Sequence, residues 1–421
     1  MSAGSDSSIE SSSSVPPPND PVIVQSVSID RMVAGGEGFA RHEDGRVMFV
    51  RGAVAGDHVD VLVLEQRRDW LRGVVANIAV PSPERVRSTC ASRHEGCGGC
   101  DWAEVSESSQ LDFKSDIVRE ALRRTARLDI PVDTGQSVTR NNYRTSVRVV
   151  GTDEGRAGFR RQSDDATVAA PNCEVVVEQL AAILREVSVP SGVEVNLRVS
   201  VATGESTARW DRRAGEVGGL PHDASVGPNA RLTERVTGRD LIVSAGSFFQ
   251  SGPQAAGVLV DAVKRFAPEL ADASHVVDAY GGVGLFAVCA VPDSTAVTVV
   301  ETSRAALADA EVNLNSRAGS VSLVRAEFGR WRTDATDIPP DVIIADPARS
   351  GLGRPGVNSC VRAAPRVIVL VSCDPVSFAR DAALLATDGY LLERVEAHDL
   401  FPGTHHVEVV SRFVRAGTLR G

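Results

Sequence analysis

Val367-Ile368-Val369-Leu370-Val371-Ser372-Cys373-Asp374-Pro375 is a run of apolar residues that ends on a thiol, a carboxylate and a proline. Five apolar residues in succession, without polar alternation, read as a strand buried on both faces, as in parallel sheets covered by helices on each side. The residue before a proline is pushed out of the α region, so the strand must give way to a loop at Cys373-Asp374. Open α/β sheets bind their ligands at that edge, which makes Cys373 a candidate for chemistry as well as for packing.

Upstream of this strand the same pattern repeats. Ser247-Phe248-Phe249-Gln250 precedes a helix pattern over Pro253–Phe266. The apolar run His275-Val276-Val277-Asp278-Ala279-Tyr280 then enters Gly281-Gly282-Val283-Gly284, and Ala296-Val297-Thr298-Val299-Val300 ends at Glu301 ahead of a helix candidate from Ser303. Asp341-Val342-Ile343-Ile344-Ala345 runs into Asp346-Pro347. Strands alternating with helices predict an α/β domain over residues 246–421 with a doubly wound, Rossmann-like sheet. Glycines at the first strand's turn let a ligand approach the backbone, and Glu301 is placed to accept ribose hydroxyls. The glycines do not fall in the G-x-G-x-x-G register of dinucleotide sites. An S-adenosyl-L-methionine site fits better, since that molecule has a ribose but no pyrophosphate. Downstream of Cys373 the chain carries His405-His406-Val407-Glu408, a pair of imidazoles and a carboxylate.

The rest of the 421 residues predicts two further domains and a tail. Residues 1–21 are rich in Ser, Pro and acidic side chains and are expected to be disordered. Residues 22–83 hold short β-like runs broken by Gly35-Gly36, Asp44-Gly45 and Ala55-Gly56-Asp57, the pattern of a small OB-like β-barrel. Residues 84–245 read as a mixed, strand-rich central domain with a helix candidate over residues 107–127. It opens with Cys90-x6-Cys97-x2-Cys100, whose intervening glycines allow a tight fold, and Cys173 could complete a set of four thiols. Such a set suits tetrahedral zinc or a four-iron cluster, and spacing does not separate the two. Cys289 and Cys360 have no motif around them and are expected in the core.

Seven cysteines in a chain with no signal peptide and no membrane-length apolar run point to a cytoplasmic protein with metal-binding or catalytic thiols, not a disulfide framework. The net charge of −10 weighs against nucleic acid as a partner. Locally, however, Arg119, Arg123, Arg124, Arg127, Arg140, Arg144, Arg148, Arg156, Arg160 and Arg161 crowd one stretch, either as ordinary ion pairs or as a surface for phosphates.

Two resemblances follow from these motifs. Gly35-Gly36-Glu37-Gly38-Phe39-Ala40-Arg41 and Val47–Asp57 resemble a TRAM domain, an RNA-binding barrel attached to several RNA-modifying enzymes. Gln250, Tyr280, Glu301, Asp346-Pro347-Ala348-Arg349, Ser372-Cys373-Asp374-Pro375 and Asp399–Glu408 fall in the order of the RNA uracil-5 methyltransferase family, and the cysteines match its iron–sulfur branch. That resemblance implies Gln250, Tyr280, Glu301 and Asp346 as S-adenosylmethionine contacts, Cys373 as nucleophile and Glu408 as base. It implies a 4Fe-4S cluster on Cys90, Cys97, Cys100 and Cys173, with zinc as the alternative. It also implies an RNA substrate, 23S ribosomal RNA ahead of transfer RNA, acting with no membrane and as a monomer. The chain departs from the family at Ala348, Asp374, Gly281 and Ser251-Gly252. Asp374 matters most, because a carboxylate beside a thiol raises the thiol's pKa unless it turns away. An RNA-binding cluster protein without methyltransferase activity is the reading those departures leave open.

Overall fold

The computed structural model describes residues 22–417 apart from Asp165 and residues 334–338. The tail expected over residues 1–21 lies outside the described residues. The chain divides into two compact units, one of the residues before Met32 together with Glu37–Pro83, the other of Met32–Gly36 together with everything from Glu84 onward.

In the first unit Val22–Ser28, His58–Gln66, Trp70–Val80, Val47–Arg51 and Gly38–Arg41 lie side by side in that order. Alternation sends Met48, Val50, Val59 and Val61 inward, all fully buried, against Ile29 and Leu71. Gly45, at φ +90°, closes the Gly38–Arg41/Val47–Arg51 hairpin at the predicted Asp44-Gly45 turn. The buried Asp57 carboxylate fixes the next turn by accepting from Val54 N (2.6 Å) and Ser82 N (2.8 Å).

The second unit contains two large sheets. One runs Thr167–Ala169, Ala157–Arg160, Ser146–Gly151, Glu194–Val199, Ser206–Arg209, Ser225–Val226, with helix Glu178–Glu186 packed on its apolar face through Leu180, Ile183 and Leu184. The other runs Val321–Arg325, Ala296–Glu301, His275–Ala279, Val342–Ala345, Val367–Ser372, Glu408–Arg415, Tyr390–Asp399, Asp133–Ser137. Its first five strands are parallel, and every residue of His275–Ala279, Val342–Ala345 and Val367–Ser372 is buried, which is why they read as unbroken apolar runs. The strand order reverses around His275–Ala279, creating the crevice where such sheets take ligands. Asp133–Ser137, from the stretch read as central, extends this sheet by pairing with Tyr390–Asp399. Helix Pro253–Phe266 forms over the predicted residues with Pro253 in its first turn, and Ser303 caps Arg304–Leu314 by accepting from Ala306 N. The helix expected over residues 107–127 is regular only over Glu107–Ala121 and ends in a wider turn at Leu122–Ala126, with Arg127 at φ +55°. Among the described residues no helix is long and apolar enough to cross a membrane.

Candidate active site

Antiparallel pairing brings the site together. Ser372 lies opposite Val409, so the strand Glu408–Arg415 starts where the parallel strand Val367–Ser372 ends. Glu408 therefore stands at the same sheet edge as Cys373, Asp346, Tyr280 and Glu301, each at the C-terminal end of its own parallel strand. Gln250 reaches this edge from the segment before helix Pro253–Phe266 and donates from Nε2 to Asp346 Oδ2 at 3.2 Å.

The edge is electrostatically crowded. Burial raises the Cys373 thiol to about 12, the Glu408 and Asp346 carboxylates add to the rise, and the Arg349 guanidinium opposes it. Burial likewise lifts Asp346 to about 7 against the Gln250 hydrogen bond, and drives Glu408 well above the carboxylate range with Asp346 adding to the effect. A buried carboxyl of this kind is a strong base once its proton has gone. Asp374 takes no part. Its carboxylate caps helix Pro375–Thr387, accepting from Ser377 N at 2.7 Å, so the feared penalty on the neighbouring thiol comes instead from Glu408 and Asp346.

On the cofactor side, Tyr280 adopts φ +60°, a conformation a bulky side chain takes at a cost of order 1 kcal/mol, and its ring packs on Phe328 at 5.4 Å. Two of the family departures here are explained by close approach. A Cβ at Gly281 would lie 2.7 Å from Val299 Cγ1, and one at Gly252 would lie 2.4 Å from the Tyr143 carbonyl oxygen. Glu301 already carries several donors. Oε1 accepts from Thr302 N (2.6 Å), Thr302 Oγ1 (3.0 Å) and Ser303 N (2.7 Å), and Oε2 from Gly282 N (3.1 Å), which fixes the carboxylate across the glycine turn and leaves acceptor capacity on Oε2.

Asp278, quoted within its strand but given no role, belongs to the site. It is fully buried, Oδ2 accepts from Ala287 N at 2.9 Å, and Oδ1 has no partner. Burial lifts its carboxyl to about 7. The unfolded residue loses its proton near 3.8. The native state therefore holds the extra proton between these values, and stability falls as pH rises through about 4 to 7. Asp278→Asn should accordingly raise the melting temperature more at pH 8 than at pH 5, a differential of order 2–4 kcal/mol. An equal shift at both pH values would show that this carboxyl is not held protonated.

Cys90, Cys97, Cys100 and Cys173 line one cavity of about 80 Å³ together with Arg93, Arg140 and Arg144. All four are free thiols, and burial with the charges of the other three pushes Cys100 to about 12. Gly96, at φ +99°, turns the chain between Cys90 and Cys97. Among the described residues, no three His, Cys, Asp or Glu side chains gather closely enough to grip a single ion. Cys289 and Cys360 are buried in the two halves of the sheet's core, as expected.

The arginine-rich stretch divides in two. Arg119, Arg123 and Arg160 pair with Asp116, Glu120 and Glu194. Arg144 and Arg148 instead line an open groove of about 840 Å³ with Arg209, Trp210 and Phe248, and Ser251 lies at its margin one residue from Gln250. Phe248 is 76% exposed. So large an apolar side chain standing in solvent beside Arg144, Arg148 and Arg209, which form no ion pair among the described residues, offers a ring face for stacking.

A parallel sheet with a thiol, two raised carboxyls and a glycine turn along one edge is the arrangement of an α/β enzyme of the methyltransferase type. Comparison with known proteins extends this. Residues 21–76 match the TRAM domain model. An uncharacterized RNA methyltransferase of Corynebacterium glutamicum is 32% identical over 93% of this chain and 96% of its own, and one of Thermotoga maritima is 29% identical over 93% and 99%. The crystal structure of the Pyrococcus abyssi tRNA (uracil-54, C5)-methyltransferase with S-adenosyl-L-homocysteine superposes with a TM-score of 0.68 at 23% identity, covering 92% of this chain and 99% of that one. The chain belongs to the family of these RNA methyltransferases.

Proposed function

We propose that the protein transfers a methyl group from S-adenosylmethionine to carbon 5 of a uridine in RNA. The convergence of Cys373 and Glu408 at one sheet edge, with Asp346 between the cofactor-side Gln250 and both of them, carries this reading. Carbon 5 of uracil is too weak a nucleophile to take a methyl group unaided. Addition of the Cys373 thiolate to carbon 6 places enolate density on carbon 5, splitting one hard step into easier ones. Bound S-adenosylmethionine supplies the electrophilic methyl. When the carbon 5–methyl bond has formed, Glu408 takes the hydrogen from carbon 5 and the pair of electrons left behind expels Cys373 from carbon 6. Arg349, whose charge opposes the rise at both Cys373 and Glu408, favours thiolate and carboxylate over their neutral forms.

The glycine turn, the strained Tyr280, Glu301 and the unpaired oxygen of Asp278 fit S-adenosylmethionine at the switch of strand order. At the four thiols, which line one cavity, we favour a 4Fe-4S cluster over zinc on the likeness of the cysteine pattern to the iron–sulfur branch. A brown protein whose visible absorption is lost in Cys97→Ser supports iron, and a colourless protein containing zinc refutes it.

The substrate we favour is 23S ribosomal RNA, on the likeness of the cysteine pattern to that branch, with transfer RNA as the alternative. Incubation of the protein with labelled cofactor and RNA from cells lacking it tests both. Methyl transfer into large-subunit RNA that disappears with Cys373→Ala supports the reading, transfer into tRNA supports the alternative, and no transfer into any RNA supports a binding protein. A uridine must leave its stack for a thiol to reach carbon 6, so the flanking nucleotides are single-stranded as they meet the groove. Phe248→Ala should weaken binding of a single-stranded RNA by about 1–3 kcal/mol in a fluorescence-anisotropy titration, roughly independent of base sequence. Unchanged affinity would take the RNA off this face.

A further inference from the structure

We propose that Asp101, in the turn that carries Cys100, is a positioning residue for Glu408, acting through His405, His406 and Arg349. The proposal rests on the catalytic reading of Cys373 and Glu408 given above.

The argument starts from the link between the last two strands. Tyr390–Asp399 and Glu408–Arg415 are joined by residues 400–407, and Glu408 is the first residue after that link. An eight-residue connection does not set the angle of the strand end it feeds unless something holds it. Here the hold comes almost wholly from the cysteine-bearing turn and the helix behind it. Gly403 N donates to Gln110 Oε1 at 2.7 Å, Trp102 N donates to the Gly403 carbonyl at 2.9 Å, and Lys114 Nζ donates to the Phe401 carbonyl at 3.3 Å. A Cβ on Gly403 would lie 3.7 Å from that of Cys100, so link and turn pack directly.

Asp101 completes this clamp and points it at the chemistry. Both of its oxygens engage His405: N donates to Oδ1 at 3.1 Å and Nδ1 donates to Oδ2 at 2.5 Å. The His405 ring lies 4.2 Å from that of His406, centroid to centroid. Arg349 Nη2 then donates to His406 Nε2 at 3.1 Å. Arginine can only donate, so His406 carries its proton on Nδ1 and stays neutral, which suits the downward shift imposed on it by burial, His405 and Arg349. Arg349 in turn is a cation whose charge acts on both the Cys373 thiol and the Glu408 carboxyl. A displacement at Asp101 is therefore passed through two rings to the guanidinium that influences nucleophile and base. Gly36 closes the far side, since a Cβ there would fall 2.7 Å from Asp101 Oδ2 and 2.9 Å from His405 Cβ.

Attack by Cys373 needs no base at Glu408, whereas release of the methylated ring does. Loss of positioning should thus show far more in release than in attack, where displacement of Arg349 from the thiol adds only a smaller loss. The full-length holoprotein and an RNA hairpin with an ordinary uridine are followed on denaturing gels, with product release measured by quench. Asp101→Ala should form the covalent protein–RNA adduct at close to the wild-type rate and release product about 10- to 100-fold more slowly, so that adduct accumulates. Asp101→Asn, which keeps an acceptor for His405 N, should fall between the two. His405→Asn, whose side chain is one step further from the thiols, should show the same split and covers the case in which Asp101→Ala does not fold.

The proposal is overturned if these variants release product at the wild-type rate, or if adduct formation and release fall together with visible absorption and melting temperature, the mark of a merely structural role. Glu408→Gln in the same gels separates the two readings. If it accumulates adduct and the Asp101 and His405 variants do not, only this proposal falls; if it accumulates none, the catalytic reading falls and this one with it.

Discussion

Glu408→Gln should convert the protein into a trap that remains joined to its RNA, while Cys373→Ala should form no adduct at all and lose at least about four orders of magnitude in methyl transfer. On the proposed mechanism the two substitutions act on opposite sides of the methylated intermediate. Without the thiol, carbon 5 has no enolate density and the reaction does not begin. Without the carboxylate, thiol addition and methyl transfer proceed, but the hydrogen on carbon 5 has no acceptor and elimination stalls. The raised pKa of Glu408 matters here, because a carboxylate that holds protons tightly takes one from carbon more readily than an exposed one. With RNA carrying 5-fluorouridine, wild type should become trapped as well, since fluorine cannot leave as a proton. Peptide mapping checks the assignment: attachment at any residue other than Cys373, or turnover of Glu408→Gln at the wild-type rate, would overturn the mechanism.

Lys114→Ala should destabilise the fold by about 3–5 kcal/mol, among the largest single-residue effects in the chain. Lys114 is completely buried on helix Glu107–Ala121, and Nζ meets Asp399 Oδ1 at 2.5 Å. Burial pushes each partner toward its neutral form, the lysine down and the aspartate up, and each is held charged by the other. Removing one leaves an uncompensated charge in the interior beside Trp102, whose ring centroid is 5.7 Å from Nζ. The paired replacement Lys114→Met with Asp399→Leu should recover most of the loss, because the cost lies in the orphaned charge and not in the absent bond. Urea midpoints for both variants check this. A loss under 1 kcal/mol in Lys114→Ala would mean that water reaches Asp399.

The sheet was legible because its strands are covered on both faces. Val367–Ser372, Val342–Ala345 and His275–Ala279 are buried at every position and mostly apolar, so their ends, and with them Cys373, Asp346 and Tyr280, stood out in the sequence. Arg349 and Phe248 were visible within motifs but without roles. A guanidinium beside a thiol and a phenyl ring standing in solvent acquire meaning only from their surroundings. Asp101, next to Cys100, drew no reading of its own, since its partner His405 lies 304 positions further along. The worry over Asp374 was reasonable for a side chain next to Cys373, and failed because a helix begins there and its free N–H groups compete for that carboxylate.

Local chemistry in the chain was enough to determine that a thiol ends a buried strand, that Cys90, Cys97 and Cys100 lie close along the chain with glycines between them, and that a carboxylate follows two imidazoles near the C-terminus. Periodicity and turn residues act over a few positions, and each of these facts is of that range. Only the tertiary structure decided that Glu408 and Cys373 share one sheet edge, because that depends on the last strand running antiparallel to its neighbour. It alone joined the cysteine-bearing turn to the catalytic link, because hydrogen bonds between residues hundreds of positions apart leave no periodic trace in a sequence.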